Sequence, residues 1–177
     1  MALLAALAAY EPCDERESAM RAQIEEFVRS TPDCFERSQA SGHITGSAWI
    51  VDESHANALL LHHRKLDRWL QPGGHADGEA DVRAVALREA REETGLTRLR
   101  PARSGIYDVD VHVIPTRGDE PEHFHYDVRF AFVADPAESL VLSDESHAIA
   151  WHPIAELDRE GVDESVRRMA RKTAFCA

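Results

Sequence analysis

The run Gly73-Gly74-His75-Ala76-Asp77-Gly78-Glu79 leads into a segment whose apolar residues recur at helical spacing, Val82, Ala86, Leu87 and Ala90, and which closes at Gly95-Leu96. The pattern predicts a helix with Asp77 or Asp81 as its N-cap and Gly95 as its C-terminal stop. Gly73 and Gly74 permit backbone angles and close approaches that a Cβ would block. A second face of the helix carries Glu89, Glu92 and Glu93, set side by side by separations of three and four residues. Glu92 and Glu93 then fall in the last turn, where the helix dipole disfavours negative charge by roughly 0.3–1 kcal/mol each. Either these residues are the solvated face of an acidic helix, with Arg88 and Arg91 as neighbours, or a cation offsets their repulsion. Clustered carboxylate oxygens suit a hard dication such as Mg²⁺, or Mn²⁺, better than a soft metal.

The whole run resembles the signature of the Nudix hydrolases: Gly, five residues, Glu, seven residues, Arg-Glu, an apolar residue, any residue, Glu-Glu, any residue, Gly and an apolar residue. Aligned on Gly74, the chain matches at Arg88, Glu89, Ala90, Glu92, Glu93, Gly95 and Leu96. It departs at one place, because the pattern's first Glu falls on Ala80 while a Glu stands one position earlier, at Glu79. A loop one residue shorter, with a helix start one residue longer, would bring Glu79 to the same place in space. The resemblance implies an α/β fold, the Nudix-type α/β/α sandwich with a mixed sheet. It also implies water attack at phosphorus to hydrolyse the diphosphate bond of a nucleoside diphosphate linked to another moiety. By the same resemblance Glu89, Glu92 and Glu93 would hold Mg²⁺ (or Mn²⁺), the Gly74 carbonyl would be an extra ligand, and Arg88 would orient the carboxylates. The alternative is a catalytically inactive module that binds a nucleotide-like ligand.

Composition narrows the partners. The 177 residues carry a formal net charge of −12, which argues against a nucleic-acid surface, since that needs a basic stripe to displace counterions. An anionic small substrate stays compatible, because a bound dication reverses the sign of the field within one cleft. The 44% apolar content is that of a globular protein, with no apolar stretch of membrane-spanning length. Cys13, Cys34 and Cys176 are odd in number and show no CxxC spacing, which suits a reduced cytoplasm. The opening Met-Ala-Leu-Leu-Ala-Ala-Leu-Ala-Ala-Tyr lacks the basic start of a signal peptide.

Residues 3–37 predict two helices, broken at Pro12 and Pro32, as an N-terminal helical extension over 1–40; a Nudix-like hydrolase domain follows over 41–177. Ala19, Ile24, Phe27 and Val28 give the second helix an apolar stripe for the main domain or for a second copy in a homodimer. Ala48–Val51 and Ala58–Leu61 read as a hairpin around Asp52–Asn57, and 107–114 and 125–133 as a second hairpin. Residues 139–142 and 148–151 read as short strands, 154–157 as a short helix, and 162–175 as a basic closing helix.

Further residues stand out. His123 and His125 share one strand face, as half of a metal site, a substrate contact or a structural pair; no third nitrogen or thiolate ligand lies at a telling distance. Arg129 sits mid-strand, where an unpaired charge is expensive. It reaches solvent, pairs with Asp127 or another acid, or lines the cleft and binds phosphate oxygens. Arg129 and His125 are therefore the candidate substrate contacts. Trp49, Trp69, Tyr107, Phe124, Tyr126 and Trp151 are core or base-stacking residues. Among the loop acids Asp119, Glu120, Glu122, Asp144 and Glu145, the Asp119–Glu122 loop is the first candidate for an additional ligand or base; Glu89 and Glu92 are the other candidates for the base.

Overall fold

The computed structural model describes residues 2–118, 121–159 and 161–175. Helices α1 (Ala2–Ala8) and α2 (Glu15–Ser30) precede strands β1 (Gly42–Val51), β2 (Asn57–His63), β3 (Arg68–Leu70) and β4 (Gly73–His75). Helix α3 (Val82–Thr94) follows, then β5 (Arg100–Pro101), β6 (Asp108–Ile114), β7 (His123–Val133), β8 (Ser146–Pro153), a 3-10 turn at Ile154–Glu156 and α4 (Glu164–Phe175).

The chain divides into two compact units whose boundary runs through β1, α3 and β7. In the first unit, β1 pairs antiparallel with β4, Gly46 opposite Gly74, and β6 pairs antiparallel with β7, His112 opposite His125. Its stretch of β1 runs beside β7, where the Phe124 amide donates to the Ser41 carbonyl. In the second unit, β2 pairs antiparallel with β1, β3 and β8, and β5 with β7. There the Ala134 amide donates to the Val51 carbonyl, so both bonds link residues at the same offset along the chain and β1 and β7 run parallel. The sheet is thus mixed, as the sequence leads one to expect of this α/β class.

Local chemistry explains the helices. Asp14 caps α2 by accepting from the Glu17 amide at 2.7 Å, and Glu17 reaches back to the Cys13 amide at 2.5 Å, a variant of the capping box. Glu17 is fully buried and also accepts the Tyr10 hydroxyl, which ties α1 to the start of α2. Phe27 of α2 stacks on Tyr126 of β7 with centroids 4.0 Å apart. At α3 the cap is Asp81, which accepts from the Ala84 amide, and Gly95 ends the helix at φ 75°. The start of α3 lies close to the sheet because Gly46 has no side chain: a Cβ there would come within 2.9 Å of the Val82 carbonyl oxygen.

Three expectations change. Gly73–His75 is a short strand as well as a turn, admitted because a Cβ on Gly73 would meet the Ser47 hydroxyl. The three-residue β3 and two-residue β5 carry no periodicity long enough to read. Residues 139–142 form no strand; the Val141 amide instead donates to the Thr94 carbonyl at the end of α3.

Arg129 is corrected too. It is 2% exposed and lies against Asp127 at 2.7 Å, Asp108 at 3.1 Å and Asp110 at 3.5 Å. Ion pairing within the core, not phosphate binding in a cleft, accounts for it, since a guanidinium so enclosed presents no face to a substrate. Asp127 also accepts the Thr45 and Ser47 hydroxyls of β1, so one network joins three strands. Removing one partner from a buried ionic network strands the others without counter-charge. Arg129→Met should therefore lower stability by about 3–5 kcal/mol, read as a fall in the urea midpoint. A midpoint within error of wild type would contradict this account.

Candidate active site

The acidic residues lie on the second half of α3, in the second unit. Arg88 Nη1 stands 2.6 Å from a Glu89 carboxylate oxygen and 3.4 Å from one of Glu92, four residues on. A single guanidinium thus braces two of the three carboxylates, as a fork one helical turn away is able to do. Glu92 is exposed and Glu93 partly so, whereas only 13% of the Glu89 side chain reaches solvent. Burial pushes the Glu89 carboxyl above the ordinary glutamate range, Arg88 opposes the shift, and the negative charges of Glu92 and Glu145 add to it.

Arg88 thus meets two acids of α3, and the charges of Glu92 and Glu145 act on Glu89 as well. That donor set, all carboxylate oxygen, fits a hard dication. The loop acid acting on Glu89 is Glu145, just before β8. In the loop favoured from the sequence, Asp119 and Glu120 lie outside the described residues, and Glu122 is exposed, its amide donating to the Thr116 hydroxyl. No sequence spacing reveals Glu145, which comes near α3 only through the fold.

The other candidates lie in the first unit. Gly74 sits on β4 opposite Gly46. Glu79 is exposed and accepts from the Asp81 amide at 2.8 Å, so its carboxylate supports the turn before α3. His125 stands among other imidazoles on the sheet.

The family profile described as NUDIX domain matches residues 43–172. The chain belongs to the Nudix family. A curated relative, the uncharacterized Nudix hydrolase YvcI of Bacillus subtilis (strain 168), is 28% identical over 101 residues, 56% of this chain and 60% of that protein. The chain thus matches less than two thirds of that relative's length. Among solved structures it resembles the E. coli dihydroneopterin triphosphate pyrophosphohydrolase (TM-score 0.58, 15% identity, 76% of this chain and 96% of that one). It also resembles a C. elegans Ap4A hydrolase binary complex (TM-score 0.54, 18%, covering 75% and 96%). A third is the NUDIX domain of Shewanella oneidensis NrtR complexed with ADP ribose (TM-score 0.54, 13%, covering 85% and 96%). At such identities the likeness establishes the Nudix fold.

The raised pKa of Glu89 has a definite sign. A carboxyl whose folded pKa lies above its unfolded value contributes stability that is full below the unfolded pKa and is lost as pH rises through the folded one. In chelator, Glu89→Gln should therefore be more stable than wild type at neutral pH, with the gap closing in acid, below the ordinary glutamate range. Thermal melts across that pH window in EDTA test it, and a variant less stable at neutral pH would refute the electrostatic reading.

Proposed function

We propose that this Nudix protein hydrolyses the diphosphate bond of a nucleoside diphosphate linked to a further group. Glu89, Glu92 and Glu93 would hold Mg²⁺, with Mn²⁺ as a substitute. The observation that carries this reading is the Arg88 fork bracing Glu89 and Glu92 on the helix face that also presents Glu93. The similar structures lend support through the compounds in their names or complexes, Ap4A, dihydroneopterin triphosphate and, bound to NrtR, ADP ribose, which all contain a phosphoric anhydride.

In this scheme each side chain has a stated task. A dication held by Glu89, Glu92 and Glu93 would supply charge neutralisation for the phosphoryl oxygens as water attacks. Arg88 is a positioning residue that fixes the Glu89 and Glu92 carboxylates. Glu92 and Glu93, closing the helix, supply exposed oxygens. Glu89, Glu92 or a loop acid such as Glu145 would take the proton from the attacking water. No protein nucleophile is needed, since water is the attacking group.

A panel of nucleoside polyphosphates, dinucleoside polyphosphates, ADP-ribose, nucleotide sugars and coenzyme A, assayed with and without Mg²⁺ and with product identification, tests the reading. Glu92→Gln and Glu93→Gln should each reduce turnover by orders of magnitude with an unchanged circular-dichroism spectrum, and Glu79→Gln should have a milder effect. Near-normal turnover in either of the first two, or no calorimetric Mg²⁺ uptake even with a diphosphate present, would overturn it.

A further inference from the structure

The first unit gathers five histidines on one face of the sheet: His43 on β1, His75 on β4, His112 on β6, and His123 and His125 on β7. Alternation along β7 puts His123 and His125 on the same side, and the registers bring the others there, His112 opposite His125 and His75 opposite Thr45, two residues from His43. The ring of His43 lies 4.9 Å from His75, 5.0 Å from His123 and 4.9 Å from His125; His75 and His125 are 5.1 Å apart. One ligand nitrogen from each of His43, His123 and His125 falls within 4.8 Å of the other two. His43 and His123 are 2% and 5% exposed.

The hydrogen bonding is that of oriented ligands. His123 Nδ1 lies 2.8 Å from the Pro121 carbonyl oxygen, so Nδ1 carries the proton and Nε2 keeps its lone pair. That Nε2, and Nε2 of His125, are buried without a hydrogen-bond partner among the described residues. His112 Nδ1 likewise lies 3.0 Å from an Asp110 carboxylate oxygen. An imidazole with one nitrogen held by a carbonyl or carboxylate and the other aimed inward is the usual arrangement of a metal-bound histidine. The alternative, a neutral histidine core, leaves buried acceptors unsatisfied at a cost of about 1–3 kcal/mol each.

We propose that His43, His123 and His125 form a buried zinc site, with His75 as the fourth ligand. Tetrahedral zinc with Zn–N bonds near 2.0–2.1 Å needs ligand nitrogens about 3.4 Å apart, so modest side-chain rotations close the set. Imidazole selects zinc and its first-row neighbours over Mg²⁺, whereas the carboxylates of α3 have the opposite preference; the two ions would not compete. The zinc ion would tie β1, β4 and β7 together, a structural role separate from the hydrolytic proposal.

Chelator-stripped protein, kept in excess Mg²⁺, is titrated with Zn²⁺ and, in parallel, with Co²⁺. Expected are uptake of one ion per chain with a dissociation constant below micromolar, a rise in melting temperature, and the intense visible d–d bands of tetrahedral Co²⁺. His43→Gln and His123→Gln should each weaken uptake by more than the roughly 10–100-fold that loss of an outer-sphere partner costs. The Glu89→Gln/Glu92→Gln/Glu93→Gln variant should take up zinc normally, so failure here and failure of the hydrolytic reading are distinguishable. Absence of the Co²⁺ bands in wild-type protein, a test that needs no variant to fold, or full uptake by a folded His43→Gln/His123→Gln double variant, would overturn the site.

Discussion

The enclosure of Arg129 among Asp108, Asp110 and Asp127 is the constraint on which the first unit turns. A guanidinium taken out of water is tolerated only when carboxylates meet it on several sides. Those carboxylates come from β6 and β7, and the hydroxyls of Thr45 and Ser47 extend the network to β1. The sheet face that carries this network continues into the histidines of the same strands. One side of β7 therefore reads His123, His125, Asp127, Arg129, while Phe124, Tyr126, Val128 and Phe130 occupy the other.

A different electrostatic problem is set on α3. There like charges are gathered at the end of a helix that disfavours them, and Arg88 braces two of them. The first region matches its charges internally, whereas the second gathers acids that, under the proposed function, would hold a dication.

Much of this was legible in the sequence. The helix from Val82 to Thr94 and its stop at Gly95 follow from spacing and from residues with particular backbone preferences, and its cap, Asp81, is one of the two candidates the sequence offered. The long strands follow from alternation, and the acidic face from i, i+3 and i, i+4 geometry. Less legible was whatever depends on distant pairing. Arg129 offered three readings because its partners Asp108 and Asp110 lie on another strand. His123 and His125 gave half a site, and the residue that completes the trio, His43, stands some eighty positions earlier, joined to them only by the parallel run of β1 beside β7. Glu145 was one of five loop acids, and no spacing set it apart from the rest for the same reason. Strands β3 and β5 are too short for any pattern, and the glycines of β4 look like a turn because side chains are what a strand pattern is read from.

The two-sided character of β7 has a consequence for how the chain finds its alignment. Were β7 to slip by one residue against β6, Arg129 would face the aromatic side and Phe130 would be driven among the aspartates, each a costly misplacement. Most half-buried strands resist slippage through loss of apolar contact alone. Here Coulombic mismatch would penalise any slip by an odd number of residues as well, so the pairing of these two strands behaves as a keyed joint.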